Sequence, residues 1–385
     1  MQHFPFRAGE KYMKRAIVSV INDLSTDQRV HKVCNTLHKL GFEVTLVGRK
    51  QRNSLSLAKR DYTTKRMSLV FEKGPVFYAE YQIRLFCYLL FHKADVLVSN
   101  DLDTLLPNYL ISKLKTSHLV YDTHELFCEV PELQDNPIKK KIWKGIERRI
   151  FPRLKHIFTV NDSIAKIYKE EYHVEVNVVR NIPLRSDQNN IENVSKEALG
   201  LPTDKKIILL QGAGINMDRG AEEAVQAMQY INDGVLLIIG SGDVISVLKQ
   251  MVIDLKLSTK VKFIDKVPFE KLIQYTRHAD IGLTLDKDTN INYRYSLPNK
   301  LFDYLHAGVP VLASDLVEVK KIIHYYSVGD CIENHDPKHI ADKLNKLLAD
   351  NLTLQEWKKN ANVVANSLNW EQEELKLIEV YKQFL

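Results

Sequence analysis

Short apolar runs alternate with stretches whose apolar positions recur every three or four residues, and this alternation persists along the chain. Residues 15–21 (RAIVSVI) read as a strand buried on both faces. In 27–40, Val30, Val33, Leu37 and Leu40 share one helical face, and Gly41 stops the helix. Strands follow at 42–47, 95–99, 118–121 and 156–160, with helices between them. The second half repeats the scheme, with strands at 206–211, 234–239, 261–264, 281–285 and 309–313. Its helices are expected at 218–230, 301–306, 336–349 and 357–384. Strand–helix alternation of this kind predicts parallel sheets with crossover helices. The polar, Pro-containing segment 180–190 reads as a linker, and residues 1–13 as a loose extension. The predicted architecture is α/β: two doubly wound Rossmann-like domains, 14–183 and 184–369, facing each other across a cleft. Ligands of such sheets bind beyond the carboxyl ends of the strands.

A length of 385 residues agrees with two domains. The 45% apolar and 26% charged residues are those of a folded globular chain. Cys34, Cys87, Cys128 and Cys331 form no C-x-x-C spacing, so neither a disulfide framework nor a zinc site is expected. The longest apolar run, 85–91, is far short of the roughly 20 residues that span a bilayer. A cytoplasmic location follows, with a peripheral position on the inner membrane face to be weighed.

The net charge of +6 is unevenly spread: residues 137–158 carry eight Lys/Arg and one Glu, while the remainder has 46 basic and 47 acidic residues. Within it Ile138, Ile142, Ile146 and Ile150 recur every four residues among Lys139, Lys140, Lys141, Lys144, Arg148 and Arg149. A basic amphipathic helix of this pattern fits an anionic membrane surface through residues 138–158. It equally fits an Ile stripe turned onto the protein's own sheet with the charges in water. No nucleic-acid module accompanies the patch, so nucleic acid is not an expected partner.

Two segments of the second half carry candidate chemistry. In 212–220 (GAGINMDRG), Gly212 and Gly214 open a turn after a strand, but Met217 breaks the G-x-G-x-x-G dinucleotide fingerprint. Arg219 there offers charge-assisted hydrogen bonds to phosphate. In 296–310 (SLPNKLFDYLHAGVP), a Pro298 loop leads into a helix whose first N–H groups suit a diphosphate, with Lys300 adding charge. Gly240 and Gly242 follow another strand and read either as a close-approach site for ligand backbone or as a plain turn.

The ordered series of pieces 27–30 (DQRV), 99–107, 121–125 (YDTHE), 212–220, 236–242 (LLIIGSG), 261–264, 279–282 and 296–310 resembles glycosyltransferase family 4, the retaining GT-B enzymes. The resemblance runs from about Lys14 to the C-terminus. It implies GT-B architecture, with acceptor binding in the first domain, nucleotide-sugar binding in the second, and a final helix, 370–385, crossing back to brace the first. It implies a metal-independent, hexosyltransferase-like enzyme using a UDP- or GDP-sugar as substrate, with no cofactor. The acceptor it implies is a glycan or lipid-linked molecule of envelope polysaccharide assembly. Gly212, Gly214, Arg219, Gly240, Gly242, Pro298, Asn299, Lys300, Leu301 and Asp303 fall at donor-binding positions, Asp303 on the ribose hydroxyls. His124 falls against the donor sugar, where neutral imidazole would hydrogen-bond a hydroxyl, with Glu125 holding the ring. His124, Arg219 and Lys300 are the expected catalytic set.

The chain departs from the family pattern twice. Tyr295 stands where the first Glu of an E-x7-E pair is usual, and Ala213 where a second basic residue is usual. Asp101 and Asp103 spell D-x-D, the metal motif of another glycosyltransferase fold, but here they are expected to line the acceptor side, with Glu125, or to cap the next helix. An epimerase of the same fold and a non-catalytic nucleotide-sugar-binding protein remain alternatives.

Overall fold

A computed structural model describes residues 13–25, 27–52, 54, 56–185 and 191–385. The expected extension at 1–13 lies almost wholly outside the described residues, as does part of the linker (186–190). The chain divides into two compact units, residues 1–179 with 374–385, and residues 180–373.

The first unit holds a seven-stranded parallel sheet. Its strands are β1 (Arg15–Asp23), β2 (Glu43–Lys50), β3 (Thr63–Ser68), β4 (Val96–Asn100), β5 (His118–Thr123), β6 (His156–Thr159) and β7 (Asn177–Val178). They lie in the order β3-β2-β1-β4-β5-β6-β7. The second unit holds a six-stranded parallel sheet of β8 (Ile207–Gly212), β9 (Val235–Gly240), β10 (Val261–Asp265), β11 (Ile281–Thr284), β12 (Val311–Ser314) and β13 (Gly329–Ile332). Their order is β10-β9-β8-β11-β12-β13. In each sheet the strand order reverses beside the unit's first strand, the point at which such sheets bind ligands.

Burial on both sheet faces explains the apolar runs. In β8, Ile208 and Leu210 meet Ala224, Val225 and Leu344 on one face, while Ile207 and Leu209 meet Phe302, Leu305 and Val364 on the other. In the first unit, Ile17, Val47 and Leu97 pack against Phe77, Tyr81 and Leu85 of helix Gly74–Phe91.

Three sequence-based expectations are corrected. The strand β3 (TTKRMS) was missed because it is a polar edge strand that buries little besides Met67. The single helix expected over 357–384 is broken. Helix Asn351–Val364 ends, and helix Trp370–Tyr381 starts afresh where Asn369 Oδ1 accepts the Gln372 N–H at 3.0 Å. The basic helix expected to reach 158 stops at Ile150; a single 3-10 turn, Phe151–Arg153, follows, and residues 156–158 belong to strand β6. Within the first unit, the end of the chain lays Tyr381 against Phe42 and Phe158 and stacks Phe384 on His118, with ring centroids 4.6 Å apart for the last pair.

Candidate functional site

In the second unit, the turns after β8 and β9 are fastened together. The Ile215 N–H donates to the Ser241 carbonyl at 2.9 Å, and the Ser241 N–H donates to the Gly212 carbonyl at 3.2 Å. A Cβ at Gly240, whose φ is +138°, would collide with the Gly212 carbonyl, and one at Gly242 with the Ile215 carbonyl. Neighbouring backbone therefore accounts for both glycines without a ligand. Gly212 and Gly214 differ: a Cβ on either would meet nothing nearer than 3.6 Å.

Arg219 closes the same turn and reaches a residue that sequence reasoning did not single out. Its Nη1 lies 2.9 Å from Asp286 Oδ1, and Lys300 Nζ lies 3.5 Å from Asp286 Oδ2. Asp286 is fully buried just beyond the carboxyl end of β11 and also accepts from Thr284 Oγ1 at 3.2 Å. Burial alone would raise its pKa, but Lys300 and Arg219 hold it below the usual carboxylate range. The Arg219 guanidinium also sits over the Tyr293 ring, 4.2 Å from its centroid. One acid thus fixes two cations side by side. The available signal was an Asp directly following an apolar strand, at the sheet end where ligands bind.

Lys300 belongs to the first turn of helix Asn299–His306, which starts after Pro298 with no side-chain cap on its N–H groups. Leu301 is buried and seats the helix on its sheet. One turn on, Asp303 Oδ2 lies 3.4 Å from Gln211 Nε2, and Gln211 Oε1 accepts from Thr276 Oγ1 at 2.7 Å. Tyr304 pins the helix to β8 by accepting the Gln211 N–H at 3.2 Å. Arg219, Lys300, Asp303, Pro298 and Asn299 therefore gather at the carboxyl ends of β8 and β11. The arrangement presents two cations and open helix N–H groups, a combination suited to a diphosphate.

In the first unit, His124 follows β5 and is held by Asp101 and Asp122. Its Nδ1 lies 3.2 Å from Asp101 Oδ2, and its Nε2 lies 3.6 Å from Asp122 Oδ2. Its main-chain N–H donates to Asp101 Oδ1 at 2.8 Å. Asp122 is buried and takes a two-pronged hydrogen bond from Arg29, at 3.0 Å and 2.7 Å. Two aspartates thus flank the ring that Glu125 was expected to hold. The Glu125 carbonyl accepts from Thr123 Oγ1 at 2.8 Å. For His124 the expectation was a neutral imidazole. Burial would depress its pKa, but Asp101 and Asp122 raise it well above the ordinary value.

The D-x-D pair separates by depth. Asp101 makes no side-chain cap to helix Leu102–Lys115, contrary to one expectation, and turns to His124 instead. Asp103 is buried, and burial followed by the nearby Asp101 charge pushes its carboxyl well above the usual range. Its burial does not fit the acceptor-lining role expected of it.

In the basic helix Pro137–Ile150, the isoleucine stripe is split. Trp143 and Ile150 are buried, whereas Ile138 and Ile142 are 75% and 59% exposed. Lys141, Arg148 and Arg149 are exposed on the same helical face. The buried Glu147 is paired with Lys144 at 2.6 Å and with the Tyr172 hydroxyl, which fixes the inner face.

Comparison with known proteins agrees with this layout. Residues 27–183 match the family model for Glycosyltransferase Family 4, and residues 192–364 match that for Glycosyl transferases group 1. A D-inositol 3-phosphate glycosyltransferase of Xylanimonas cellulosilytica is 25% identical over 189 residues, 49% of this chain and 45% of that protein. The chain thus spans less than half the length of that relative. Sucrose-phosphate synthase from Thermosynechococcus elongatus superimposes with a TM-score of 0.79 at 16% identity, over 96% of this chain and 98% of that one. HepE from Anabaena in complex with UDP-glucose does so with a TM-score of 0.71 at 12% identity, over 96% and 99%. Likeness at these identities establishes the fold. Each half being matched by a glycosyltransferase model, the chain belongs to glycosyltransferase family 4, with the GT-B fold.

Proposed function

We propose that this chain transfers a sugar from a UDP- or GDP-sugar to a glycan or lipid-linked acceptor, with retention of anomeric configuration. The observation that carries the reading is the Arg219–Asp286–Lys300 cluster beside the uncapped start of helix Asn299–His306. As the bond to the sugar breaks, negative charge builds on the departing nucleoside diphosphate. Arg219, Lys300 and the helix N–H groups are fixed before the reaction, so they stabilise that charge without reorganising. Asp303 receives the ribose hydroxyls, and His124 is assigned to the sugar being transferred. A fold neighbour solved with UDP-glucose supports a nucleotide-sugar donor. The reading needs no metal.

The test is a product assay with a panel of UDP- and GDP-sugars, in EDTA, with and without acceptor. The expected result is release of nucleoside diphosphate that depends on acceptor, with a product of unchanged anomeric configuration. An isomerised nucleotide sugar formed without acceptor would make the chain an epimerase. Binding of donor with no turnover on any acceptor would make it a binding protein.

The exposed face of helix Pro137–Ile150 suits the membrane where a lipid-linked acceptor resides. Ile138 and Ile142 supply apolar area, and Lys141, Arg148 and Arg149 supply charge at about 1 kcal/mol each near an anionic surface. Replacing these three bases with serine is expected to weaken flotation with phosphatidylglycerol vesicles about 100-fold. Equal flotation of the variant and the parent protein would remove the membrane from this account.

A further inference from the structure

We infer that His124 works as a fixed cation, an imidazolium clamped between Asp101 and Asp122, and that Asp101 is its positioning residue. The inference deepens the proposed function, and rests on it only for what the charge acts upon.

The geometry leaves the ring little choice. Both nitrogens face carboxylates, Nδ1 at 3.2 Å from Asp101 and Nε2 at 3.6 Å from Asp122. A neutral imidazole has one N–H and one lone pair, so one carboxylate would face a lone pair. The doubly protonated ring gives Asp101 an N–H within hydrogen-bond reach and meets Asp122, at 3.6 Å, as an ion-pair partner without a hydrogen bond. Asp101 is committed to this task by three further features. Its Oδ1 accepts the His124 N–H at 2.8 Å, its own N–H donates to the Asp122 carbonyl at 2.9 Å, and its φ is +57°. A non-glycine residue in the left-handed region stores strain that the surroundings must impose.

Charge alternates through the cluster: Arg29, Asp122, His124, Asp101. Each charge is thereby paired, which offsets the cost of burying it. The other titratable groups turned toward the cluster add little free charge. Asp103, on the helix after Asp101, has its carboxyl pushed well above the usual range, chiefly by burial. Tyr121 of β5, Tyr168 of helix Asp162–Tyr172 and Tyr381 of the final helix have phenols pushed well above their ordinary value by burial. Glu125 of the same loop and Arg49 of β2 act in opposite senses on Asp103.

A clamped imidazolium has no lone pair with which to take a proton. On the proposed function it contributes positive charge toward the electron-rich donor, and activity should show no limb near pH 6.5 arising from His124. The sign of the stability effect follows. The folded ring holds its proton more tightly than the unfolded one. Its contribution is therefore complete below about pH 6.5 and is lost as pH rises through the folded-state value.

The test is long-range 1H–15N correlation of the full chain labelled with 15N-histidine, titrated from pH 5.5 to 8.5, with His124→Asn for assignment. Both His124 nitrogens are expected at imidazolium positions throughout the neutral range. In Asp101→Asn, the ring should titrate at least about one pH unit lower, the scale of a lost neighbouring charge. A single neutral tautomer at pH 7 in the unaltered protein would overturn the inference. So would an Asp101→Asn titration identical to that of the unaltered protein. The parent spectrum alone decides the charge state if the variant does not fold. The readout needs no turnover, so failure here leaves the transfer reaction standing, and failure of transfer leaves the charge assignment standing.

Discussion

Arg219→Ala is expected to lower kcat by about 100- to 1,000-fold, the range seen when one preorganised donor to a developing anion is removed. Two contacts fix this side chain before any ligand arrives, Asp286 at 2.9 Å and the Tyr293 ring at 4.2 Å, and its main-chain N–H is tied to the Asn216 carbonyl at 3.2 Å. The loss should appear at saturating donor, because charge on the diphosphate is greatest in the transition state. Arg219→Lys should recover only part of it, since an ammonium cannot reproduce a planar fork shared between a carboxylate and a phosphate. Removal of Arg219 leaves buried Asp286 with Lys300 and the Thr284 hydroxyl, so melting temperature must be recorded beside the rate. A folded variant within threefold of the parent's kcat would show that the leaving group is stabilised elsewhere.

Arg29→Ala is expected to destabilise the first unit by about 3–5 kcal/mol, the cost of breaking a buried ion pair from one side. Arg29 and Asp122 are each only 2% exposed, and the guanidinium also donates to the Val179 carbonyl at 2.7 Å. Truncation leaves the buried Asp122 carboxylate with the more distant His124 as its charged partner and takes a donor from the Val179 main-chain oxygen. In a unit of this size the change corresponds to a fall of roughly 10 °C in melting temperature. Urea or thermal unfolding of the full chain would measure it. The loss should shrink as pH falls toward the acid range. Asp122 has its carboxyl held well below the usual range, chiefly by Arg29 working against burial, so the pair contributes above about pH 4 and fades as Asp122 is protonated. A change under 1 kcal/mol at neutral pH would mean that the pair is replaced by water.

What the sequence disclosed and what it withheld divide along a physical line. Strands buried on both faces, such as β1 and β8, announce themselves as nearly continuous apolar runs, broken only by Ser19 inside β1 and ended by Gln211 in β8. The strand β3 sits at an edge and is polar, and β13 (GDCI) buries only its last two residues, so neither leaves such a mark. Among site residues, Arg219, Lys300 and His124 could be picked out because a local motif surrounds each. Asp286 could not, since its meaning lies in two cations from other segments, one 67 residues away. The same holds for the Arg29–Asp122 pair, which joins residues 93 apart. The split of the isoleucine stripe also escaped sequence reading. A four-residue period drifts around a helix of 3.6 residues per turn, so Ile138 and Ile150 end on different faces.

The central claim is that fixed cations and open helix N–H groups in the second unit bind the diphosphate of the donor. Calorimetric titration of the full chain with uridine, UMP and UDP, and with the guanosine series, tests it most directly. Each added phosphate gains charge-assisted hydrogen bonds of about 1.5–3 kcal/mol. The account predicts that, in at least one series, affinity rises tenfold or more from monophosphate to diphosphate, and that this increment disappears in Arg219→Ala. Equal affinities along both series, or no binding of either diphosphate, would contradict it.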